Sequence, residues 1–284
     1  MATSDVGGVR QNLRMAQVQD GLNQTQAFAL IFETTSTRNL LGYGLWALRN
    51  ARFWETTRDP ILTMLSIGVE KLLKMSLGLA HVAEHDEWPP LATFRDTWRH
   101  NISNMHEVLM LTIRDRLSEA THPACVESQL LEVENDPVLP ALMAALSRYG
   151  QSGRFYHLDE LALSPQAGEE PGHMWSEAEN IALRLDPQMK AKFETASSDP
   201  DPEVFDAFVH ELEAHLAASI ERWWDLVALA GKHCILGERG KGWGFDVEKS
   251  TVRPGRWSRG GRDEDPHPQP VLPSGNRSPC GPLL

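Results

Sequence analysis

The chain has 284 residues, of which 41% are hydrophobic and 23% charged, a globular mixture long enough for one large domain or two small ones. Its 27 basic and 39 acidic residues give a net charge of −12, which argues against nucleic-acid binding through a broadly positive surface and leaves open a small basic site on an acidic body. Cys125, Cys234 and Cys280 are far apart and form no CxxC pair, so neither a disulfide framework nor a cysteine-based zinc site is expected.

No apolar run reaches membrane-spanning length, and the first twenty residues lack a basic segment followed by an apolar core. A cytoplasmic protein without membrane attachment is expected. Residues 1–20 are expected to be flexible. The segment 238–284 carries eight basic and six acidic residues and is dense in Gly, Pro and Ser. It leaves a net −14 on residues 1–237 and has too little apolar surface to offset its ordering entropy, so a mostly disordered tail is expected there, most clearly from about 250.

Between these ends the pattern is helical. Leu, Ala, Met and Glu dominate, and no strand-length alternation of β-branched and polar residues occurs. A first helix is predicted over about 22–55, with Phe28, Ile31, Phe32, Leu41, Leu45 and Leu48 as its apolar positions. Gly42 and Gly44 mark close packing or a kink. Asp59-Pro60 has the form of a cap followed by a first-turn proline and predicts the start of a second helix. Leu62, Leu65, Val69, Leu72, Leu73 and Leu77 form that helix's apolar face. A third helix is predicted over about 102–120. Asp136-Pro137 repeats the start signal for a helix to about 149.

The stretch 150–172 reads as loop, anchored by Phe155, Tyr156 and Leu158. A helix follows over about 175–195. Asp199-Pro200-Asp201-Pro202 is a sharp break, and a long helix runs from there to about Leu236, closed by Gly237. The fold class predicted is all-α: a helical bundle with additional C-terminal helices, one helical domain over 21–237, and a disordered tail.

Two histidine patterns look like metal motifs. His81-Val82-Ala83-Glu84-His85 matches H-x-x-E-H, in which two imidazoles share one helix face. A zinc ion would need a third protein ligand, and the pattern falls where the apolar face of its helix stops, so a polar helix end is the preferred reading. His210 and His215 are five apart, about 140° round a helix, and read as a solvated face. No metal or cofactor is expected. Adjacent Trp223 and Trp224 cannot both face one core stripe, so one of them is expected to meet a partner chain or the packed tail.

The segment Arg95-Asp96-Thr97-Trp98-Arg99-His100-Asn101-Ile102-Ser103-Asn104-Met105-His106 concentrates two arginines and two histidines at a loop-to-helix junction. A guanidinium holds phosphate bidentately, and an imidazole moves a proton near neutral pH. Arg95, Arg99, His100 and His106 are therefore the candidate catalytic residues for attack by an RNA 2′-hydroxyl. The alternative is that His100 and Asn101 cap the helix and the arginines pair with acids.

Three places resemble the HEPN superfamily of helical-bundle proteins over about residues 25–160. They are the helix Met64-Leu65-Ser66-Ile67-Gly68-Val69-Glu70-Lys71-Leu72-Leu73-Lys74, the Arg95–His106 segment, and Gly153-Arg154-Phe155-Tyr156-His157-Leu158. The second offers two matches to the family's Arg, polar residue, variable stretch, His motif: Arg95-Asp96 with His100, and Arg99-His100 with His106. The resemblance implies either a metal-independent endoribonuclease of a toxin or defence system, or a non-catalytic module that binds a partner protein or nucleotide. Both kinds imply a homodimer. Within the second helix, Glu70 four residues before Lys74 is the favourable ion-pair order.

Overall fold

The computed structural model describes residues 21–51 and 54–249, which form ten α-helices and no β-strand. The expected flexible N-terminus (1–20) and the tail from residue 250 lie outside the described residues. In chain order the helices are α1 (Gln24–Asn50), α2 (Trp54–His85), α3 (Ile102–Asp115), α4 (Pro123–Glu134), α5 (Leu139–Gln151), α6 (Tyr156–Leu161), α7 (Pro171–Leu185), α8 (Pro187–Ser198), α9 (Pro202–Lys232) and α10 (Gly237–Asp246). A single π-helical turn, Thr93–Trp98, precedes α3. No helix among the described residues is long and apolar enough to cross a membrane.

Local chemistry sets most helix ends. Asn23 and Gln26 form a reciprocal capping box at the start of α1, both bonds 2.9 Å. α1 and α2 then pack through glycines: a Cβ on Gly44 would lie 2.7 Å from Leu65, and one on Gly68 would lie 2.9 Å from Leu41. The close packing expected at Gly44 is thus a contact with α2. That second helix begins before Asp59-Pro60, and Pro60 sits inside its second turn. Pro60 is the seventh residue, past the first four amides, so its missing N–H forgoes one bond of the helical ladder.

The helix expected to open at Asp136-Pro137 begins at Leu139, with Val138 at its N-cap position, and Asp136 braces the turn that leads into it. Its carboxylate accepts from the Val138 and Leu139 amides at 3.0 and 3.3 Å, from Ser219 at 2.6 Å, and from Arg222 at 2.6 Å. Burial pushes this carboxyl up, but the bonds from Ser219 and Arg222 outweigh it and hold the group below the usual carboxylate range. One side chain thus braces the entry to α5 and ties it to α9.

Four expectations need correction. The helix predicted over 175–195 is two helices, broken at Asp186-Pro187, where Asp186 caps the second through the Gln188 and Met189 amides. α4, opened by Pro123, was not predicted. Phe155 and Leu158 do not anchor the 150–172 stretch, since both are exposed. The boundary placed at Gly237 falls one helix short: α10 packs on α2 and α9, with Trp243 and Val247 buried.

One continuous core runs from Leu41 to Val247. α9 lies at its centre, touching α1, α4, α5, α7, α8 and α10, so the C-terminal helices share the core of the N-terminal ones. Trp223 and Trp224 are both buried. Trp223 meets His106 of α3 edge-on, and the Trp224 indole donates to the Val247 carbonyl at 2.9 Å. The tryptophans face different neighbours, the second being chain just beyond α10.

The α9 stretch read as a solvated face also holds Glu213, which is buried. One of its oxygens has no hydrogen-bond partner among the described residues. Burial, with the Glu179 carboxylate nearby, pushes its carboxyl up to about 9 from an ordinary 4.5. The folded chain keeps this proton where the unfolded chain releases it, so folding loses stability as pH rises from 4.5 towards 9. The loss is about 3 kcal/mol by pH 7. Glu213→Gln removes the titration, so it should raise the melting temperature at pH 8 and have little effect at pH 4.5, as measured by thermal unfolding.

Candidate functional site

The loop after α2 turns at Trp88-Pro89-Pro90 and enters the π-helical turn, whose last bond runs from the Arg99 amide to the Phe94 carbonyl at 2.9 Å. Arg99 ends the turn in the left-handed region, at φ 46°. That conformation is strained for a residue with a Cβ. It reverses the chain so that Asn101 can cap α3 through the Asn104 amide. The capping alternative weighed from the sequence therefore holds for Asn101, and His100 stands one position outside the helix.

His100 faces α2. Its Nδ1 lies 3.1 Å from each oxygen of Glu70. The Lys74 ammonium lies 2.7 Å from Oε1 of the same carboxylate, the i,i+4 pair predicted from the sequence. Glu70 is the buried member of this triplet, with 15% of its side chain exposed against 55% for His100. A carboxylate in that setting needs partners, and it has a cation on one side and an imidazole on the other. Gly150 of α5 lies beneath them: a Cβ there would be 3.8 Å from Glu70 Oε2 and 3.9 Å from the His100 carbonyl oxygen.

The chemistry this allows follows from the ring. An Nδ1–H donating to Glu70 fixes one tautomer and leaves Nε2 as the acceptor of a more than half-exposed imidazole. A carboxylate behind a histidine orients the ring.

The other candidates behave differently. Arg95 is 72% exposed and makes a two-bond fork with its neighbour Asp96, at 2.8 and 3.0 Å. Arg99 is exposed and makes no ion pair among the described residues. Its charge acts on Asp96, and the cation next to His100 is Lys74, through their shared carboxylate Glu70. His106 lies one turn into α3 with its ring against Trp223 and its Nδ1 buried without a partner. Burial pushes its pKa down to about 4. A neutral imidazole in the core and a surface imidazole on Glu70 do not form one site. The structure brings Glu70, Lys74 and His100 together and leaves His106 apart.

The H-x-x-E-H segment ends α2 with the His81 and His85 rings 4.2 Å apart and Glu84 beside His85 at 3.7 Å. No group of three or more His, Cys, Asp or Glu side chains among the described residues is placed to hold a metal ion.

In the folded chain His106 remains neutral until about pH 4, while in the unfolded chain it protonates near 6.5. Stability is therefore lost as pH falls from 6.5 towards 4, by about 3 kcal/mol in total. His106→Phe should flatten this acid limb in denaturant melts between pH 7 and 4. Comparison with family models, with curated proteins and with solved structures finds no match to this chain.

Proposed function

We propose that the chain is a non-catalytic helical interaction module that self-associates as a homodimer through the outer face of α1. The observation that carries this reading is the placement of the α1 aromatics. Phe28, Ile31 and Phe32, read from the sequence as apolar positions together with Leu41, Leu45 and Leu48, are 54%, 55% and 72% exposed, and Trp46 is 46% exposed. Leu41 follows Phe28 by thirteen residues, about 220° round the helix. α1 therefore has two apolar faces: Leu41, Leu45 and Leu48 bury one in the core, and Phe28, Phe32 and Trp46 hold the other to solvent. An exposed apolar stripe of this length marks an interaction surface.

A second copy is the occupant that the charges favour. α1 has three charged side chains, and each is engaged within the chain. Glu33 pairs with Lys71 at 2.7 Å, Arg38 donates to the Asp246 carbonyl at 2.7 Å, and Arg49 pairs with Glu221 at 2.6 Å. The outer face offers only apolar and neutral polar groups such as Thr35 and Asn39. In a two-fold dimer the same patch meets itself, so an uncharged face is self-complementary where a charged one would repel.

A second reading, a metal-independent endoribonuclease, is favoured by the Glu70–His100 contact. In that reading His100 is the base and Arg99 holds the phosphate. His106 takes no part, because its ring is buried against Trp223. This pairing joins His100 of one motif match to Arg99 of the other.

Light scattering of the full chain should give twice the 31.8 kDa chain mass, with association strengthened by salt as repulsion between acidic bodies is screened. Phe32→Glu combined with Trp46→Glu should give a monomer, and a wild-type monomer at high micromolar concentration would sink the homodimer. For the second reading, labelled RNA in EDTA should be cut by the wild-type chain and by His106→Phe but not by His100→Ala. An uncut RNA with wild-type protein removes that reading.

A further inference from the structure

A cleft of about 310 Å³ opens between the N-terminal half of α1, the middle of α2 and the Trp88–Phe94 segment. We propose that it is a binding site for a small aromatic carboxylate, with the ring between Trp88, Phe94 and Met75 and the carboxylate on Lys74. The proposal does not rest on the homodimer reading, and it meets the endoribonuclease reading only at Lys74, which shares Glu70 with His100.

The first argument is that the cleft is built and does not close. Trp88 lies across Gly78 of α2, its ring occupying the place of a Cβ, 2.5 Å from where that atom would be. Phe94 stacks on Trp88 with centroids 6.1 Å apart and planes at 22°, and Trp98 braces Phe94 edge-on at 4.8 Å. This aromatic wall is held from behind. The opposite wall is α1, fixed to α2 through the contacts of Gly44 and Gly68. Ala29 contributes only a methyl group to the lining, and Met75 supplies a polarizable floor. Apolar walls held apart forgo the dispersion contacts that a bound apolar group restores. The size and the lining, mostly apolar with a few polar groups to one side, are those of small-molecule sites.

The second argument is charge. The charged residues lining the cleft are Lys71, Lys74 and Glu33; Glu70 on Lys74 brings the group to two cations and two carboxylates, so selection rests on which cation has donors left rather than on net charge. Lys71 is committed, with Glu33 at 2.7 Å and Ser36 at 3.1 Å. Lys74 makes one hydrogen bond, to Glu70 at 2.7 Å, and an ammonium has three donors. It therefore presents a fixed cation with donors to spare beside an aromatic slot, which selects an anion over a neutral or cationic aromatic. Because Glu70 also holds His100, a carboxylate arriving on Lys74 shares that cation with the carboxylate that orients the imidazole.

The probe is 2-naphthoate, with 2-naphthamide as its neutral counterpart, titrated calorimetrically into the full-length chain. One molecule of 2-naphthoate per chain is expected, with the amide weaker by about tenfold or more. Ala29→Trp fills the cleft from an exposed helix position and should abolish binding while leaving the circular dichroism and the melting temperature unchanged. Lys74→Gln should bring the affinity for the acid down to that for the amide. Three results overturn the proposal: no saturable binding of 2-naphthoate at millimolar concentration, binding unaltered by Ala29→Trp, or the amide binding wild type as tightly as the acid. If Ala29→Trp does not retain the fold, Lys74→Gln decides, and unchanged discrimination between acid and amide in that variant also overturns it.

Discussion

Two adjacent tryptophans on one helix require apolar surroundings on two sides. Trp223 and Trp224 point about 100° apart, and both are buried. α9 is therefore an axis with neighbours around it rather than a helix laid on a surface. α3 covers one side and sets His106 against Trp223; α10 covers another and gives the Trp224 indole a carbonyl to bond. Much else follows from filling that space. α10 has to pack rather than belong to a tail, and the ring of His106 has to stay neutral. Glu213, carried inward by the same helix, keeps a proton that an exposed glutamate would lose.

The two unusual ionisable groups of the core act in opposite directions. His106 costs stability on the acid side, and Glu213 costs it on the alkaline side. Between them these two groups favour the mildly acidic range, where the self-repulsion of the acidic chain is also relieved. Neither group serves the surface chemistry at Glu70, Lys74 and His100, which stands on α2 and the π-helical turn and is assembled by α2, the loop and α5.

The helices were legible in the sequence because their signals are local. Asp136-Pro137 and the 199–202 break act over three or four residues, and α5 and α9 begin at or within two residues of where they predict. Pro60 misled because a proline early in a helix and a proline at its start carry the same signal. The aromatics of α1 misled because periodicity reports that a face is apolar without saying what it meets. Phe28 and Leu41 both fit a helical pattern, yet lie on opposite sides. At the candidate site, the Glu70–Lys74 pair could be read from an i,i+4 spacing. Its contact with His100 joins residues thirty apart, and the burial of His106 depends on Trp223 from the far end of the chain. No spacing rule reaches across those separations.

The Asp136 carboxylate has a consequence for the order in which the chain acquires its structure. It braces the turn into α5, yet two of its four bonds come from Ser219 and Arg222, more than eighty residues later. During synthesis, α1 to α5 emerge with this charge unsatisfied on one side and with the central axis of their core still missing. Closing so large a loop is entropically costly and slow. The full set of Asp136 bonds is therefore complete only once α9 has joined the helices that precede it.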